Sequence, residues 1–409
     1  AEFGPESIAL ALERRLAPLP VGTGRFLEAV AVLGSGATLR HCAALAGLSL
    51  DAAAGVADAL VGARVLVPPA LEFIHPVVRS AVTRRIGIGA RGLTHGRAAR
   101  LLAADGVPPD RLAPHLLQTH PSGDPWVVAT LRAAAKTAGE RGTPDTAEVY
   151  LRRALAEPPE PGERPLVLHE LGMALTTRRH PDAPGLFEAA LAGIDDTMQR
   201  GDLALAAVRA CNIAMRLPEA LAICTAGLTG ATSLEPAPRL RLEAEMVASA
   251  WMDPSTVGLA QEWLVDHAER RPSTGTSADG LALVLLASAV TMRSGPAAEA
   301  VALLHEALTT GVLEERGSIV LSMLINQLIF NEELDTAARI AGEAHRRCQE
   351  LASVSLVAHY SYLKGLTAHR RGALAEAESE MRSCYEFNRD AGTRTGADWA
   401  MAGLVEVLT

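Results

Sequence analysis

A short Ala-rich motif recurs in the last third of the chain and constrains the fold more than any other feature. It begins amphipathic helical segments at Ala300, Ala338 and Ala377, which lie 38 and 39 residues apart. A second apolar segment of similar length lies between successive copies of the motif. This period is typical of stacked helical hairpins, in which each unit buries its apolar face against a neighbour. The sequence therefore predicts an α-solenoid.

The same two-helix pattern extends back to about residue 143 and predicts a superhelical repeat domain over residues 143–409. We predict the first helices of the pairs near residues 165–178, 197–215, 237–252, 279–293, 314–330, 354–371 and 396–408. We predict the second helices near residues 182–193, 218–228, 255–270, 297–309, 334–351 and 373–390.

Composition favours an all-α fold. Hydrophobic residues make up 49% of the 409 residues but aromatic residues only 3%, so the apolar content is mainly Ala, Leu and Val. Ala and Leu favour helix. The five cysteines form no CxxC pair and lie in apolar segments, which is typical of reduced, buried thiols. The longest apolar runs are too short to span a bilayer, so we expect a cytoplasmic protein without membrane contact.

The period of the pattern changes before the repeats begin. Three helical segments are followed by two short strand-like runs, 64–67 and 71–74, separated by a Pro-Pro turn. Helices followed by such a hairpin predict a winged-helix domain over residues 20–85. Residues 1–19 are interpreted as a leader with a first helix, and residues 86–142 as connecting helices. The Arg- and Gly-rich stretch 84–92 is predicted to be a loop.

The search for catalytic motifs is negative. No GxxxxGK[ST] motif occurs, so the chain does not supply its own phosphate-binding loop. The GxGxxG match at 87–92 does not follow a buried strand, as a dinucleotide fingerprint requires. His169-Glu170 and His305-Glu306 lack the second histidine of a zinc-binding HExxH helix. We therefore predict no enzyme activity, no catalytic residue and no metal site in this chain.

The predicted winged helix is poorly equipped to contact DNA. Its candidate recognition helix, 51–63, carries Asp51 and Asp58 and has no Arg, Lys, Asn or Gln before Arg64. Phosphates require cations and base edges require hydrogen-bonding side chains. This helix is therefore expected to have a packing role.

A solenoid of helical hairpins has a concave groove lined mainly by the first helix of each pair. Polar and aromatic side chains on those helices are candidates for contact with a ligand or a peptide. We predict these groove residues: Arg209, Asn212, Arg293, Asn326, Gln327, Tyr362 and Trp399.

Several segments before and at the start of the repeats carry a resemblance to a known family. They are FLEAVAVLG at 26–34, AALAGL at 43–48, FIHPVVRSAV at 73–82, HGRAARLL at 95–102, APHLL at 113–117, GDPWVV at 123–128 and AEVYLRRAL at 147–155. With the order winged helix, connecting helices and tetratricopeptide-like hairpins, the chain resembles the central and C-terminal part of the large ATP-binding LuxR-type transcriptional regulators, which belong to the STAND class of signalling ATPases. The resemblance is dense over 20–156 and looser beyond.

The resemblance implies a fragment of a larger regulator. The family carries an N-terminal ATPase with Walker motifs and a C-terminal LuxR-type helix-turn-helix, and neither is in this chain. ATP or ADP with Mg²⁺, and DNA, would accordingly be bound by other parts of the parent protein, and this chain needs no cofactor. His75 matches a family position near the nucleotide and is carried over as a nucleotide-proximal residue.

On this interpretation the chain is a sensor and relay. The repeat groove would bind a small-molecule inducer or a regulatory protein, and the winged helix would pass the signal to the parent's own ATPase module; a homo-oligomer is also compatible. The alternative is a free-standing tetratricopeptide scaffold that binds proteins and uses no nucleotide.

Overall fold

The computed structural model describes residues 12–68, 70–178, 180–229, 234–269, 275–350, 354–390 and 394–409. These residues form helices and one two-stranded sheet. The chain divides into two compact units. The first contains Ala1–Ala138 and Val149–Glu160, and the second contains Gly139–Glu148 and Pro161–Thr409. The first 11 residues of the predicted leader lie outside the described residues, and the four-part domain division stays a prediction.

The first unit begins with three helices, a hairpin and further helices. In chain order these are α1 (Thr23–Leu33), α2 (Leu39–Ala46), α3 (Leu50–Gly62), β1 (Leu66–Val67), β2 (Glu72–Phe73), α4 (Pro76–Arg85), α5 (Ile88–Ala104) and α6 (Pro109–Leu116). Two helices then carry the chain across the division, α7 (Pro125–Glu140) and α8 (Pro144–Ala156).

Local capping explains where the early helices begin. The Thr38 side chain accepts a hydrogen bond from the His41 backbone N–H at 3.2 Å, and Ser49 accepts one from Ala52 at 3.3 Å. The two strands pair antiparallel, with Leu66 opposite Phe73. The strands are shorter than predicted, at two residues each, and the assignment of this bundle to the winged-helix class remains a prediction.

The stretch predicted as a loop at 84–92 is largely helical. Helix α4 continues to Arg85, and α5 already begins at Ile88. The glycines mislead because one of them serves close packing: a Cβ on Gly92 would lie 3.3 Å from the Gln118 carbonyl oxygen. Arg91 also anchors this helix start, because its guanidinium donates to the Thr83 carbonyl oxygen at 3.0 Å.

The second unit is an array of consecutive helices. They are α9 (Arg164–Thr177), α10 (Ala183–Ala192), α11 (Thr197–Ile213), α12 (Leu217–Leu228), α13 (Pro236–Trp251), α14 (Val257–Glu269), α15 (Ser277–Met292), α16 (Ala297–Thr309), α17 (Ile319–Phe330), α18 (Leu334–Glu350), α19 (Val354–Arg370), α20 (Leu374–Asp390) and α21 (Arg394–Leu408). A 3₁₀ turn, Val312–Glu314, precedes α17.

Successive helices of this unit pack as hairpins, and each first helix also contacts the first helix of the next pair. Small residues allow the close approach. In the α9–α10 pair, a Cβ on Gly172 would lie only 2.7 Å from the ring of Phe187, which is itself fully buried. The core that results is built mainly from Ala, Leu and Val, as the composition predicts.

The predicted helices of the repeats agree with the observed ones to within a few residues, except at one place. The helix predicted at 314–330 begins only at Ile319. Gly317 has a left-handed φ of 73°, which ends any helix there, and the Ser318 hydroxyl caps the new helix by accepting from the Val320 N–H at 3.2 Å. The all-helical repeat fold is confirmed.

Among the described residues no single helix combines the length and the apolar composition needed to cross a membrane. Only the pair α2 and α3 meets those criteria in combination, and the two helices are bent by 108°. Both helices bury side chains in the core of the first unit, including Cys42 and Leu60.

Candidate functional site

A cavity of about 660 Å³ lies within the second unit. The C-terminal halves of the first helices of successive pairs form most of its wall, beginning with α9 and continuing through α11, α13 and α15. The later helices α17, α19, α20 and α21 supply the rest of the wall. Its volume is within the range of cavities that hold drug-sized ligands.

The wall concentrates residue types that are scarce in this chain. The chain has 9 Met, 6 Phe, 4 Tyr and 4 Trp. Those that line the cavity are Met173, Met215, Met252, Met292, Met323, Trp251, Tyr360, Tyr362, Phe387 and Trp399. Aromatic rings offer large apolar faces, and the unbranched methionine side chain adapts to irregular shapes. The cavity is therefore suited to a mainly apolar occupant.

Two of these rings lie side by side at one end of the cavity. The ring centroids of Tyr362 and Trp399 are 6.2 Å apart, with an angle of 36° between the ring planes. Trp399 remains 40% exposed, whereas burial raises the pKa of the Tyr362 hydroxyl, with smaller effects from Glu406 and Cys384. Both rings line the cavity, and the Trp399 indole keeps accessible surface.

Polar side chains lie among the apolar ones on this wall and differ in how they are satisfied. The His359 ring Nε2 lies 2.6 Å from the Ser322 hydroxyl oxygen. Asn212 is fully committed to the protein: its amide donates to Glu245 at 3.1 Å, and its carbonyl accepts from Ser249 at 2.8 Å. Gln327 is buried, and its side-chain carbonyl oxygen Oε1 has no hydrogen-bond partner.

The seven predicted groove residues are distributed over three environments. Five of them line this one cavity, namely Asn212, Asn326, Gln327, Tyr362 and Trp399. Arg293 follows the end of α15 and is exposed away from the cavity wall. Arg209 belongs to a buried ion-pair network beside the cavity. Whether any of the seven binds a ligand remains a prediction.

The Arg209 network joins distant parts of the second unit. The guanidinium donates to Glu245 at 3.0 Å, to Glu315 at 2.6 Å and to the Arg316 carbonyl oxygen at 3.1 Å. Arg241 donates to the other oxygen of Glu315 at 2.6 Å. A second recess of about 340 Å³ adjoins these groups. Because the arginines are already paired with carboxylates, this recess offers no unpaired cation for an anionic ligand.

Electrostatics keep Glu315 ionised within this network. Burial alone would raise the pKa of its carboxyl group, but hydrogen bonds from Arg209, Ser277 and Arg241 outweigh burial, so the pKa lies below its ordinary value of 4.5. Glu315 is therefore ionised at neutral pH.

His75, the predicted nucleotide-proximal residue, lies in the first unit. It caps helix α4: its ring Nδ1 accepts a hydrogen bond from the Val77 backbone N–H at 3.1 Å, and Pro76 occupies the first helical position. The ring is exposed. This geometry accounts for a His-Pro pair at a helix start, and the proximity to a nucleotide stays a prediction.

The groove residues predicted from the sequence do not include the methionines, Trp251, His359, Tyr360 and Phe387 of the cavity wall. A signal was present: Met173, Met215, Met252 and Met292 are 42, 37 and 40 residues apart, close to the repeat period. Met173 lies about one turn before the end of its first helix, and the other three lie at the end of a first helix or within two residues after it. A rare residue that recurs at the repeat period marks a common face of the array.

Comparison with known proteins adds two distant structures. No protein-family model matches this sequence, and no curated protein matches it. One similar solved structure is a Signal Transduction ATPase with Numerous Domains (STAND) protein with a tetratricopeptide repeat sensor from Pyrococcus horikoshii, at 12% identity and a TM-score of 0.42. That alignment covers 98% of this chain and 61% of the other, so this chain spans less than two thirds of that protein's length.

The second similar structure is the tetratricopeptide domain of P58(IPK). It is 13% identical, with a TM-score of 0.22, and the alignment covers 87% of this chain and 95% of that one. Sequence identities and TM-scores this low do not indicate function. By its own helix pairing, the chain is a helical-repeat protein.

Proposed function

We propose that the second unit is a sensor whose cavity binds a mainly apolar, drug-sized ligand. The observation that carries this proposal is the composition of the wall: five of the nine methionines and five of the chain's few aromatic residues surround one space of about 660 Å³. A wall rich in apolar and aromatic side chains is typical of small-molecule sites.

In the wider proposal, the chain is the tetratricopeptide-type sensor and relay of an ATP-dependent LuxR-type transcriptional regulator in the cytoplasm. This part is supported by the resemblance of residues 20–156 to that family. A ligand can drive such a switch only if it binds one state of the regulator better than the other. The first unit would then pass the change to an ATPase module.

We expect this chain not to bind a nucleoside triphosphate by itself, because neither of its lysines lies in a Walker-type phosphate loop. Of its two lysines, Lys136 is exposed in the middle of α7 and Lys364 is ion-paired with Glu380 within the repeats. Neither follows a glycine-rich loop that could cradle phosphates. In this proposal, ATP or ADP with Mg²⁺ is therefore bound by another module of the parent protein. His75 would be near the nucleotide only where the first unit contacts that module.

Filling the cavity tests the proposal. Ala210 lies on α11 and lines the cavity, so Ala210→Trp should place an indole in the space that a ligand needs. Ala298→Trp is the matched control, because Ala298 is exposed on α16 and does not line the cavity. Neutral apolar compounds and peptides are screened by thermal shift on the full chain, and far-UV circular dichroism verifies that both variants fold.

We expect compounds that raise the melting temperature of the wild-type chain and of Ala298→Trp, but not of Ala210→Trp. Asn326→Trp changes a cavity residue on α17. In this variant too, the compounds should not raise the melting temperature. A shift that both filled variants retain would show that the ligand binds elsewhere. If only peptides shift the melting temperature, the protein-binding scaffold is the correct alternative. ATP hydrolysis by the full-length regulator, measured with and without the compound, tests the relay.

A further inference from the structure

Four side-chain amides are among the described residues that line the cavity, and the protein satisfies them unequally. The Asn212 amide donates to Glu245 at 3.1 Å and accepts from the Ser249 hydroxyl at 2.8 Å. Asn388 is buried, and its amide nitrogen donates to the Cys384 carbonyl oxygen at 2.9 Å and lies 3.4 Å from the Cys384 Sγ. These two amides therefore keep no donor and acceptor together for a ligand.

Asn326 and Gln327, the other two amides, are adjacent on α17 but differ in their access to the cavity. The side-chain oxygen Oε1 of Gln327 is enclosed by protein atoms, so a ligand atom does not reach it. Asn326 is half-buried, and in the described part of the chain its amide makes no hydrogen bond to the protein. Neither atom of the Asn326 amide is enclosed in the way that Oε1 of Gln327 is. Asn326 is therefore the lining amide whose oxygen and nitrogen both remain for a ligand.

The register of α17 places Asn326 on the cavity side of this helix. The residues of α17 that line the cavity are Ile319, Ser322, Met323, Asn326 and Gln327. Spacings of three and four residues put side chains on one face of an α-helix. On this face Ile319 and Met323 are apolar, and the Ser322 hydroxyl is already hydrogen-bonded. The Asn326 amide is thus an available polar group beside apolar and satisfied neighbours.

Other polar side chains of the wall do not offer the same pair of groups. The hydroxyl groups of Thr176, Thr177 and Ser288 donate to carbonyl oxygens of their own helices. The indoles of Trp251 and Trp399 can each donate one hydrogen bond and accept none. A phenol donates and accepts through a single oxygen atom, whereas a primary amide presents a donor and an acceptor side by side in one plane. The Asn326 amide therefore differs from these groups in geometry as well as in availability.

The described wall offers no unpaired charge to a ligand. Arg178 is its single Arg, and no Asp, Glu or Lys is among the described residues that line it. The Arg178 Nε lies 2.7 Å from an Asp145 carboxylate oxygen, and its Nη1 pairs with Glu148. His359 is uncharged at neutral pH, because burial lowers its pKa from 6.5 to about 4. An ionic ligand would lose its hydration here without gaining a countercharge.

A ligand that covers the Asn326 amide must also hydrogen-bond to it, because burying an amide without a partner is unfavourable. The group that matches both of its atoms is a second amide whose N–H and C=O point the same way, as in a lactam or a primary carboxamide. The methionines and aromatic rings of the wall contact the apolar remainder of the ligand. A ring system suits this wall better than a flexible chain, because it loses less conformational freedom on binding.

Resting on the proposed function, we infer that the cavity binds neutral, mainly apolar ring compounds that carry a lactam or a primary carboxamide. The N–H of this group donates to Oδ1 of Asn326, and its carbonyl oxygen accepts from Nδ2 of Asn326. Asn326 is the residue that determines specificity, and the apolar wall supplies the remaining contacts. Charged analogues of the same skeleton bind weakly because the wall has no countercharge for them.

Three planar tricyclic probes test this inference. Phenanthridinone is a neutral lactam with the N–H and C=O side by side. Its N-methyl derivative keeps the carbonyl oxygen but lacks the donor, and phenanthrene-9-carboxylate carries an anion on a ring system of the same size. Dissociation constants are measured by fluorescence titration of the full chain. The variants are Asn326→Leu, which removes the amide at similar size, and Gln261→Leu, a matched control at an exposed position on α14.

For the wild-type chain we expect phenanthridinone to bind about fivefold more tightly than its N-methyl derivative, the effect of one neutral hydrogen bond. The carboxylate should bind at least about tenfold more weakly than the lactam. In Asn326→Leu the lactam should lose its advantage over the N-methyl derivative, whereas Gln261→Leu should keep the wild-type ratio. Circular dichroism of each variant verifies the fold.

The outcomes separate this inference from the proposed function. If Ala210→Trp abolishes binding of the probes but Asn326→Leu keeps the wild-type ratio, the cavity binds ligands and the role of Asn326 is wrong. The ligand class is wrong if the carboxylate or the N-methyl derivative binds the wild-type chain as tightly as the lactam. It is also wrong if apolar compounds from the thermal-shift screen bind the cavity and the lactam does not. If the probes bind Ala210→Trp as tightly as the wild-type chain, the proposed function fails and the inference fails with it.

Discussion

Glu315 and Arg209 are 106 residues apart in the sequence, yet a carboxylate oxygen of the former accepts from the guanidinium of the latter at 2.6 Å. The second oxygen of Glu315 accepts from Arg241 at 2.6 Å and from the Ser277 hydroxyl at 2.5 Å. The segment before α17 is thereby attached to α11, to α13 and to the start of α15. Since Gly317 and Ser318 of the same segment line the cavity, this attachment also fixes part of the cavity wall.

Breaking this network should destabilise the chain strongly. Arg209→Met leaves Glu245 and Glu315 without a shared cation, and Glu245 is fully buried. We expect a loss of about 3–5 kcal/mol in the free energy of unfolding, because an unpaired buried charge is far more costly than a lost surface pair. Urea titration followed by circular dichroism measures the loss.

The matched control for this variant is Arg382→Met, which removes an exposed pair with Glu378. Solvent screens such a pair, so the urea midpoint should barely move. Equal effects of the two substitutions would contradict a structural role for the Arg209 network.

Lowering the pH should reduce the free energy of unfolding through protonation of His359. Its pKa is lowered by burial from 6.5 to about 4 in the folded chain, so the unfolded chain binds a proton first as the pH falls. The contribution of the neutral ring to stability is complete above pH 6.5 and is lost between pH 6.5 and about 4, by at most ~1.4 kcal/mol per pH unit. Below that range both states are protonated and the loss ends.

The comparison of wild type with His359→Asn isolates this contribution from other titrating groups, such as His95, whose pKa burial also lowers to about 4. Urea midpoints at pH 7, 6 and 5 should fall less steeply in the variant. Parallel curves would show that His359 titrates in the same range in the folded and unfolded chain.

Removing the unpartnered amide should stabilise the unliganded chain. In Gln327→Met a buried carbonyl oxygen without a donor is replaced by an apolar side chain of similar length, so we expect the free energy of unfolding to rise by about 1 kcal/mol. Gln261→Met, on the exposed surface, should have little effect. A lower melting temperature for Gln327→Met, measured by differential scanning calorimetry, would mean that the amide is satisfied in solution.

Two glycines in helices should respond in opposite ways to alanine. In α9, a Cβ on Gly172 would meet the Phe187 ring at 2.7 Å, so Gly172→Ala should destabilise the α9–α10 pair despite its better helix propensity. In α18, Gly342 has no atom within 4 Å of the corresponding position, so Gly342→Ala should raise the free energy of unfolding by about 0.5–1 kcal/mol. Thermal melts of both variants are compared with the wild-type chain. A higher melting temperature for Gly172→Ala would contradict the close packing of Gly172 against Phe187.

Most helix positions could be predicted because the information is local. A helix depends on residues three and four apart, on caps such as Thr38 and Ser49, and on the propensity of Ala and Leu, all of which are visible in a short window of sequence. The error at 84–92 has the same origin. Gly92 looks like a loop residue in that window, and only its contact with the Gln118 backbone shows that it serves packing.

The functional surface could be predicted only in part. Periodicity assigned Arg209, Asn212 and Gln327 alike to the inner side of the array, and the three differ completely in their partners. Arg209 and Asn212 are paired with the buried carboxylates Glu245 and Glu315, whereas the buried side-chain oxygen of Gln327 has no hydrogen-bond partner. Those carboxylates come from other pairs in the array, so no window of sequence contains both partners.

The sequence alone thus determines that this chain is a stack of helical hairpins, because amphipathic helices of this period must share their apolar faces. It also indicates which helices carry the inner surface. The tertiary structure decides which side chains on that surface are satisfied by the protein and which are not. Hydrogen bonding and charge pairing depend on distances of a few ångströms between groups about 30 to 106 residues apart, and folding alone brings such groups together.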